Sequence, residues 1–295
     1  MTLVDVITLF DTDERCRELL VRLRWPNGVE CLRCKGPVTE LQTAKQLFYC
    51  KSCDYQFSVT VGTVFNDSHL PLQKWFLATL LLCESRKGHS ANQMKRELGV
   101  SYKTAWYLCH RIRHAMHQTD KPMLDGTVEI DETYIGGRKR GLGQGPHSSG
   151  KKIVIGIRQR GGELRFIKAA DLKADTLYKI IHDNVSEEVE VLVTDEFSTY
   201  PFAMGPTFKG KHKTVNHKRR EYVRGSVHTN TVESAFSLLK RGLMGTWHRV
   251  SIKHLPAYLE EMTFRFNRRK SHTLFLDTLR HMVTAPVLTF ETLTT

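Results

Sequence analysis

The stretch Val128-Glu129-Ile130-Asp131-Glu132-Thr133-Tyr134 has the β-branched and aromatic make-up of a strand, yet acids sit in its middle and near its end. Acids inside a strand need a reason, since a buried carboxylate is costly unless something pairs with it. Alternation sends Glu129, Asp131 and Thr133 to one face and Val128, Ile130 and Glu132 to the other. On this reading Asp131 is a metal ligand and Glu132 a bystander.

Outward from that strand, the apolar runs at 153–157 and 164–167 flank Gly161 and Gly162 as the arms of a hairpin do. A helix fits 174–184, and 189–194 alternates into Asp195 and Glu196, a second strand that delivers a carboxylate at its end. Strand, hairpin, helix, strand is the order of a ribonuclease H-like core. Across 228–243 helical spacing puts Val232, Phe236, Leu239 and Leu243 on one face and Asn230, Glu233, Ser237 and Lys240 on the next. Asp131, Asp195 and Glu233, from two strands and a helix, suit two divalent ions about 3.5–4 Å apart. Hard oxygen ligands select Mg2+ or Mn2+ over zinc. Lys240, two turns beyond Glu233, is placed to meet a phosphate.

Upstream, Cys31/Cys34 and Cys50/Cys53 form two pairs with two intervening residues, the spacing of two knuckles sharing one tetrahedral zinc. Four thiolates leave no open position, so this zinc is structural. Residues 38–41 and 46–49 read as ribbon strands, and Cys16, Cys83 and Cys109 as small buried apolar residues. Between ribbon and core, Leu72, Trp75, Phe76, Thr79, Leu80 and Cys83 share one helix face. Ser90 caps a second helix that Gly99 ends, and Ser101 opens a third that runs to about His117. That is a helix-turn-helix pattern, with Ser101, Tyr102, Lys103 and Thr104 at the end that meets base edges and Arg111 and Arg113 as candidate phosphate grips.

The balance of 44 Lys+Arg against 31 Asp+Glu gives a net charge of +13 and favours a polyanionic partner. Lys209, Lys211, Lys213, Lys218, Arg219 and Arg220 precede the Glu233 segment, while Arg265, Arg268, Arg269 and Lys270 follow it. Residues 136–152, poor in apolar side chains, read as a loop. Trp247 and His248 are candidates for base contact. No apolar run approaches the roughly 18 residues of a membrane span, and the acidic N-terminus is unlike an export signal, so a cytoplasmic, nucleoid-associated protein with no membrane partner is expected. The fold class expected is α+β and multidomain: an N-terminal helix and zinc ribbon over 1–68, a helix-turn-helix-like segment over 69–120, and a ribonuclease H-like α/β catalytic domain with C-terminal helices over 121–295.

These motifs resemble the transposases of the IS1595 (ISXO2-like) insertion sequences over nearly the whole chain. Arg24, Trp25 and Pro26 before the cysteines look like the start of that family's zinc-binding domain, with Leu32 standing where Pro is expected. The strand at Asp131 is similar to the first catalytic motif, Thr194-Asp195-Glu196 to the second, and His228-Thr229-Asn230-Thr231-Val232-Glu233-Ser234 followed by Leu239-Lys240-Arg241-Gly242 and Trp247-His248 to the third. The resemblance implies a DDE triad of Asp131, Asp195 and Glu233 with Lys240 after it. It leaves Asn230 open as a contributor. It also implies double-stranded DNA as partner, both transposon terminal inverted repeats and target, and a dimer in the synaptic complex. Two other functions share parts of the pattern: a zinc-ribbon DNA-binding regulator, and a ribonuclease H-like nuclease without transposition.

Overall fold

The computed structural model describes residues 1–41, 46–136, 151–216 and 223–295. They form two units, Met1–His117 with Arg268–Thr295 and Gln118–Asn267.

In the first unit, Thr2 and Thr12 cap α1 (Leu3–Leu9) and α2 (Asp13–Arg24) through their hydroxyls, satisfying amides that the helices leave unpaired. A three-stranded antiparallel sheet follows, β1 (Val38–Leu41), β2 (Leu47–Cys50) and β3 (Tyr55–Phe57). The third strand escapes the sequence reading because three residues are too few to display alternation. Trp25 meets Phe48 and Phe57 edge-on beneath the sheet. The helix α3 (Leu72–Glu84) buries the apolar face expected of it. Ser90 accepts from the amide of Gln93 at the start of α4 (Ala91–Leu98), Gly99 closes that helix at φ +61°, and Ser101 caps α5 (Tyr102–Ala115) by accepting from Thr104 N at 3.1 Å.

The second unit opens with β4 (Thr127–Ile135), β5 (Lys152–Gln159) and β6 (Leu164–Ala169), then α6 (Ala174–His182), β7 (Val191–Thr194), α7 (Tyr200–Phe208) and β8 (His212–Thr214). It closes with α8 (Asn230–Gly242), a π-helical turn (Leu243–Trp247) and α9 (Leu255–Asn267). The sheet order is β6-β5-β4-β7-β8, antiparallel on the hairpin side and parallel from β4 through β7 to β8. This is the ribonuclease H-like arrangement expected. One sheet face packs Val128, Ile130, Ile155 and Ile157 against Leu177 and Ile181 of α6 and Phe208 of α7. The other packs Val154 and Phe166 against Val232, Phe236 and Leu239 of α8 and Met262 of α9. Neither α7 nor β8 is foreseen, since Gly205 at φ +59° and Pro206 break the helical period of the first and the second has three residues.

The C-terminal helices α10 (Leu274–Thr284) and α11 (Phe290–Thr294) belong to the first unit, which corrects their expected place with the catalytic domain. Phe275 meets Phe76 at 6.0 Å between ring centroids, Thr278 and Met282 bond Cys83 and Thr79 of α3, and Tyr107 of α5 donates to Leu288 O. An amphipathic helix announces its stripe but not which unit will cover it. The expected loop at 136–152 falls largely on 137–150, outside the described residues, as do Lys218, Arg219 and Arg220; Lys152 begins β5. Among the described residues no helix is long and apolar enough to cross a membrane.

Candidate active site and zinc centre

Parallel pairing of β4 with β7 sets Glu129 opposite Val193, so two residues further in that register Asp195 leaves its strand level with Asp131. Carboxylate oxygens of Asp131, Asp195 and also Glu132 lie within 4.8 Å of one another. This corrects the reading of Glu132 as a bystander. Alternation fixes the face from which a side chain departs, but β7 ends at Thr194, and the space beyond a strand's end is open to long side chains from either face. Tyr200, fully buried at the start of α7, holds Glu132 there by donating to its Oε2 at 2.8 Å. Asp131 accepts from the amide of Glu132 at 2.8 Å and Asp195 from that of Phe197 at 3.1 Å.

Such a cluster resists full ionisation. Burial, then the charges of Glu132, Asp195 and Glu233, pushes the Asp131 carboxyl up to about 8. Burial, then Asp195, pushes Glu132 up to about 7 despite the Tyr200 hydrogen bond. Converging hard oxygens that repel one another at neutral pH fit a divalent cation of the Mg2+ or Mn2+ kind.

Glu233 stands on the first turn of α8, the helix that packs on the sheet face carrying Glu129 and Asp131. Its Oε1 accepts from Thr229 Oγ1 at 2.8 Å; it stands outside the group of three converging acids, while its charge still reaches Asp131. The approach of α8 depends on Gly156, the β5 partner of Asp131: a Cβ there would lie 2.6 Å from Phe236 and 2.8 Å from Val232. Asn230 and Lys240 are both exposed on the same helix.

In the ribbon, one sulfur of each knuckle meets one of the other, Cys31 with Cys53 at 3.6 Å and Cys34 with Cys50 at 3.4 Å. A tetrahedron of zinc–sulfur bonds of about 2.3 Å needs sulfurs about 3.8 Å apart, so the four thiols fit one zinc. Lys35 at φ +59° and Asp54 at φ +54° make the same left-handed turn after the second cysteine of each knuckle. Cys16, Cys83 and Cys109 are buried as expected.

Four arginine and tryptophan assignments change. Arg111 and Arg113 are buried, not aimed at phosphate: Arg111 donates to Asn66 O and lies over the Trp75 and Tyr107 rings at 5.0 Å, and Arg113 donates to His89 O. Arg111 shares the inward stripe of Leu108, Ile112 and Ala115, and Arg113 follows Cys109 by one turn, a spacing that the sequence already carried. Trp247 packs edge-on against Tyr258 at 4.8 Å within the core, leaving its neighbour His248 exposed. Arg265 is buried on Glu261 at 2.9 Å. Ser101, Tyr102, Lys103 and Thr104 are exposed at the start of α5, Lys103 reaching over the Phe290 ring at 4.5 Å. Beyond Glu132, the sequence reading missed Tyr200, Gly156, Arg160 and the buried Glu129. Only the acid in mid-strand carried a local signal.

Residues 123–267 match the ISXO2-like transposase domain, and residues 11–56 match the transposase zinc-ribbon domain. A protein in transposable element ISH50 of Halobacterium salinarum is 33% identical over 278 residues, 88% of this chain and 92% of the relative. The chain belongs to the IS1595 family of transposases. The transposase carries its acidic cluster inside the matched catalytic domain and its zinc centre inside the matched ribbon. Crystal structures of the Mos1 Strand Transfer Complex (12% identity, 72% of this chain and 78% of that one, TM-score 0.32) and of a pre-cleavage Mos1 transpososome (12%, 73% and 79%, 0.29) show faint likeness to it.

Proposed function

We propose that this transposase cuts phosphodiester bonds at the ends of its element and joins the freed 3′-hydroxyl to target DNA, with two Mg2+ or Mn2+ ions bound by the acidic cluster. The observation that carries this reading is the convergence of Asp131, Glu132 and Asp195 where β7 ends beside β4, with Glu233 on the first turn of α8. When bound, such ions activate the attacking oxygen and stabilise the leaving one. The protein's own share is position: Asp131 and Asp195 are ligands fixed by the β4–β7 register, Tyr200 aims Glu132, and Glu233 completes the set from the helix. No enzyme-linked intermediate is required, because water and then the 3′-hydroxyl serve as nucleophiles. Lys240, exposed on α8, meets phosphate, and exposed Asn230 and His248 lie on the DNA side of the helix and of the turn that follows it. Ser101, Tyr102, Lys103 and Thr104 present the start of α5 to a major groove.

In this reading the first unit reads the terminal repeats, the second performs the chemistry, and two ends brought together call for at least a dimer. The protein then works on the chromosome in the cytoplasm. Incubation with labelled terminal-repeat DNA, unlabelled target and Mg2+ tests it. Joined product is expected. Binding without cutting would instead indicate a regulator, and cutting without joining a nuclease.

A further inference from the structure

The first turn of a helix leaves its amides without partners, and a polar side chain just before the helix usually accepts from them. Thr229 precedes α8 but lends its hydroxyl to Glu233 instead. The acceptor comes from 102 residues upstream: Glu129 Oε2 receives Thr231 N at 2.9 Å, Thr231 Oγ1 at 2.8 Å and Val232 N at 3.0 Å. Its other oxygen receives Arg160 Nε at 2.6 Å and lies 3.4 Å from His228 Nδ1. Arg160 in turn donates to Ser226 O at 2.6 Å and His228 O at 2.8 Å, the chain leading into α8. Glu129 has no exposure at all.

Every one of these contacts is directed at α8 or at its approach. Glu129 also stands two residues before Asp131 on the same strand and the same face, so Asp131 and the first turn of α8 are both referred to β4. A buried ion pair contributes little net stability over apolar packing, whereas four hydrogen bonds converging on one carboxylate fix geometry.

We infer that Glu129 is a positioning residue: clamped by Arg160, it seats the first turn of α8 and so sets where the Glu233 carboxylate stands relative to Asp131. This inference rests on the metal-binding reading of the site. It predicts that Glu129 acts on the metal only through Glu233.

The experiment is a Mn2+ titration of the full, zinc-loaded chain, followed by calorimetry, for wild type, Glu129→Gln, Glu233→Gln and the double variant, with melting temperature as the folding control. Glu129→Gln should weaken Mn2+ binding about tenfold, the usual scale for residues that orient a ligand. The double variant should bind no more weakly than Glu233→Gln alone, because the ligand being oriented is already gone. A purely structural role would lower the melting temperature and multiply the two losses. Wild-type affinity in Glu129→Gln, or a double loss equal to the product of the single ones, overturns the inference. Should Glu129→Gln not fold, Arg160→Gln leaves the carboxylate and removes its clamp, and the same non-additivity with Glu233→Gln decides. A wild type that binds no Mn2+ sinks the metal reading together with the inference, whereas wild-type binding with an unaffected Glu129→Gln sinks the inference alone.

Discussion

The two clusters of candidate metal ligands in this protein are assembled in opposite ways. The ribbon draws four sulfurs from 23 residues of chain, Cys31 to Cys53, and each knuckle is a local turn that needs no distant partner. The acidic cluster draws on β4 and on the end of β7, with Glu233 of α8 beyond it, so it exists only when the sheet is in register. A centre built locally serves the fold; a centre built from afar depends on the fold and has room left for a substrate.

Removing zinc should have the largest effect, and an effect confined to one side of that comparison. Cys50→Ser, or chelation, withdraws binding energy of about 10 kcal/mol for a structural zinc, so the ribbon should unfold, reported by the fluorescence of Trp25. Mn2+ affinity at the acidic cluster should stay within about twofold. A matching loss there would break the separation of the centres.

Asp131→Asn comes next. It should lower cleavage roughly a thousandfold, about 4 kcal/mol of transition-state stabilisation, while gel-shift affinity for terminal-repeat DNA holds. Cleavage at the wild-type rate would remove Asp131 from the site. Gly156→Ala should cost about 1–3 kcal/mol by pushing against Phe236 and Val232, lowering the melting temperature and weakening Mn2+ binding in the same variant. A melting shift with unchanged Mn2+ affinity would show that the seat of α8 does not govern the metal site.

Smallest should be a pH effect on the metal-free protein. The Asp131 carboxyl rises from 3.8 to about 8 on folding, so between those values the folded chain holds a proton that the unfolded chain has released. Stability therefore declines as pH climbs through that window and levels off above it. Differential scanning calorimetry should find the second unit melting several degrees lower at pH 8 than at pH 5.5, and Mn2+ should recover more of the loss at the higher pH. A flat profile would mean that the acids do not crowd one another.

The same contrast explains what the sequence made legible. Cysteine spacing, the caps Ser90 and Ser101, and the stripes of α3 and α8 are local patterns, and the structure bears them out. Strand-borne acids could be recognised as unusual, and Asp131 and Asp195 do come together. What stayed hidden depends on contacts across the fold. The rule of alternate faces could not foresee that β7 stops short and admits Glu132, nor that Arg111 and Trp247 would be covered by neighbours. Glu129 was visible as an acid out of place, but its partners at Arg160 and Thr231 lie 31 and 102 residues away.

The first unit is interrupted in sequence by the second, with the helix that covers Phe76 and Thr79 arriving only after residue 267. As the chain leaves the ribosome, the sheet bearing the acids is already complete when that last segment emerges, whereas the unit containing α3, α4 and α5 still lacks part of its core. Synthesis thus finishes the second unit first and the first unit last. A product that stops near residue 270 would hold a whole acidic sheet but leave an open, apolar wound on α3, a natural target for quality-control proteases.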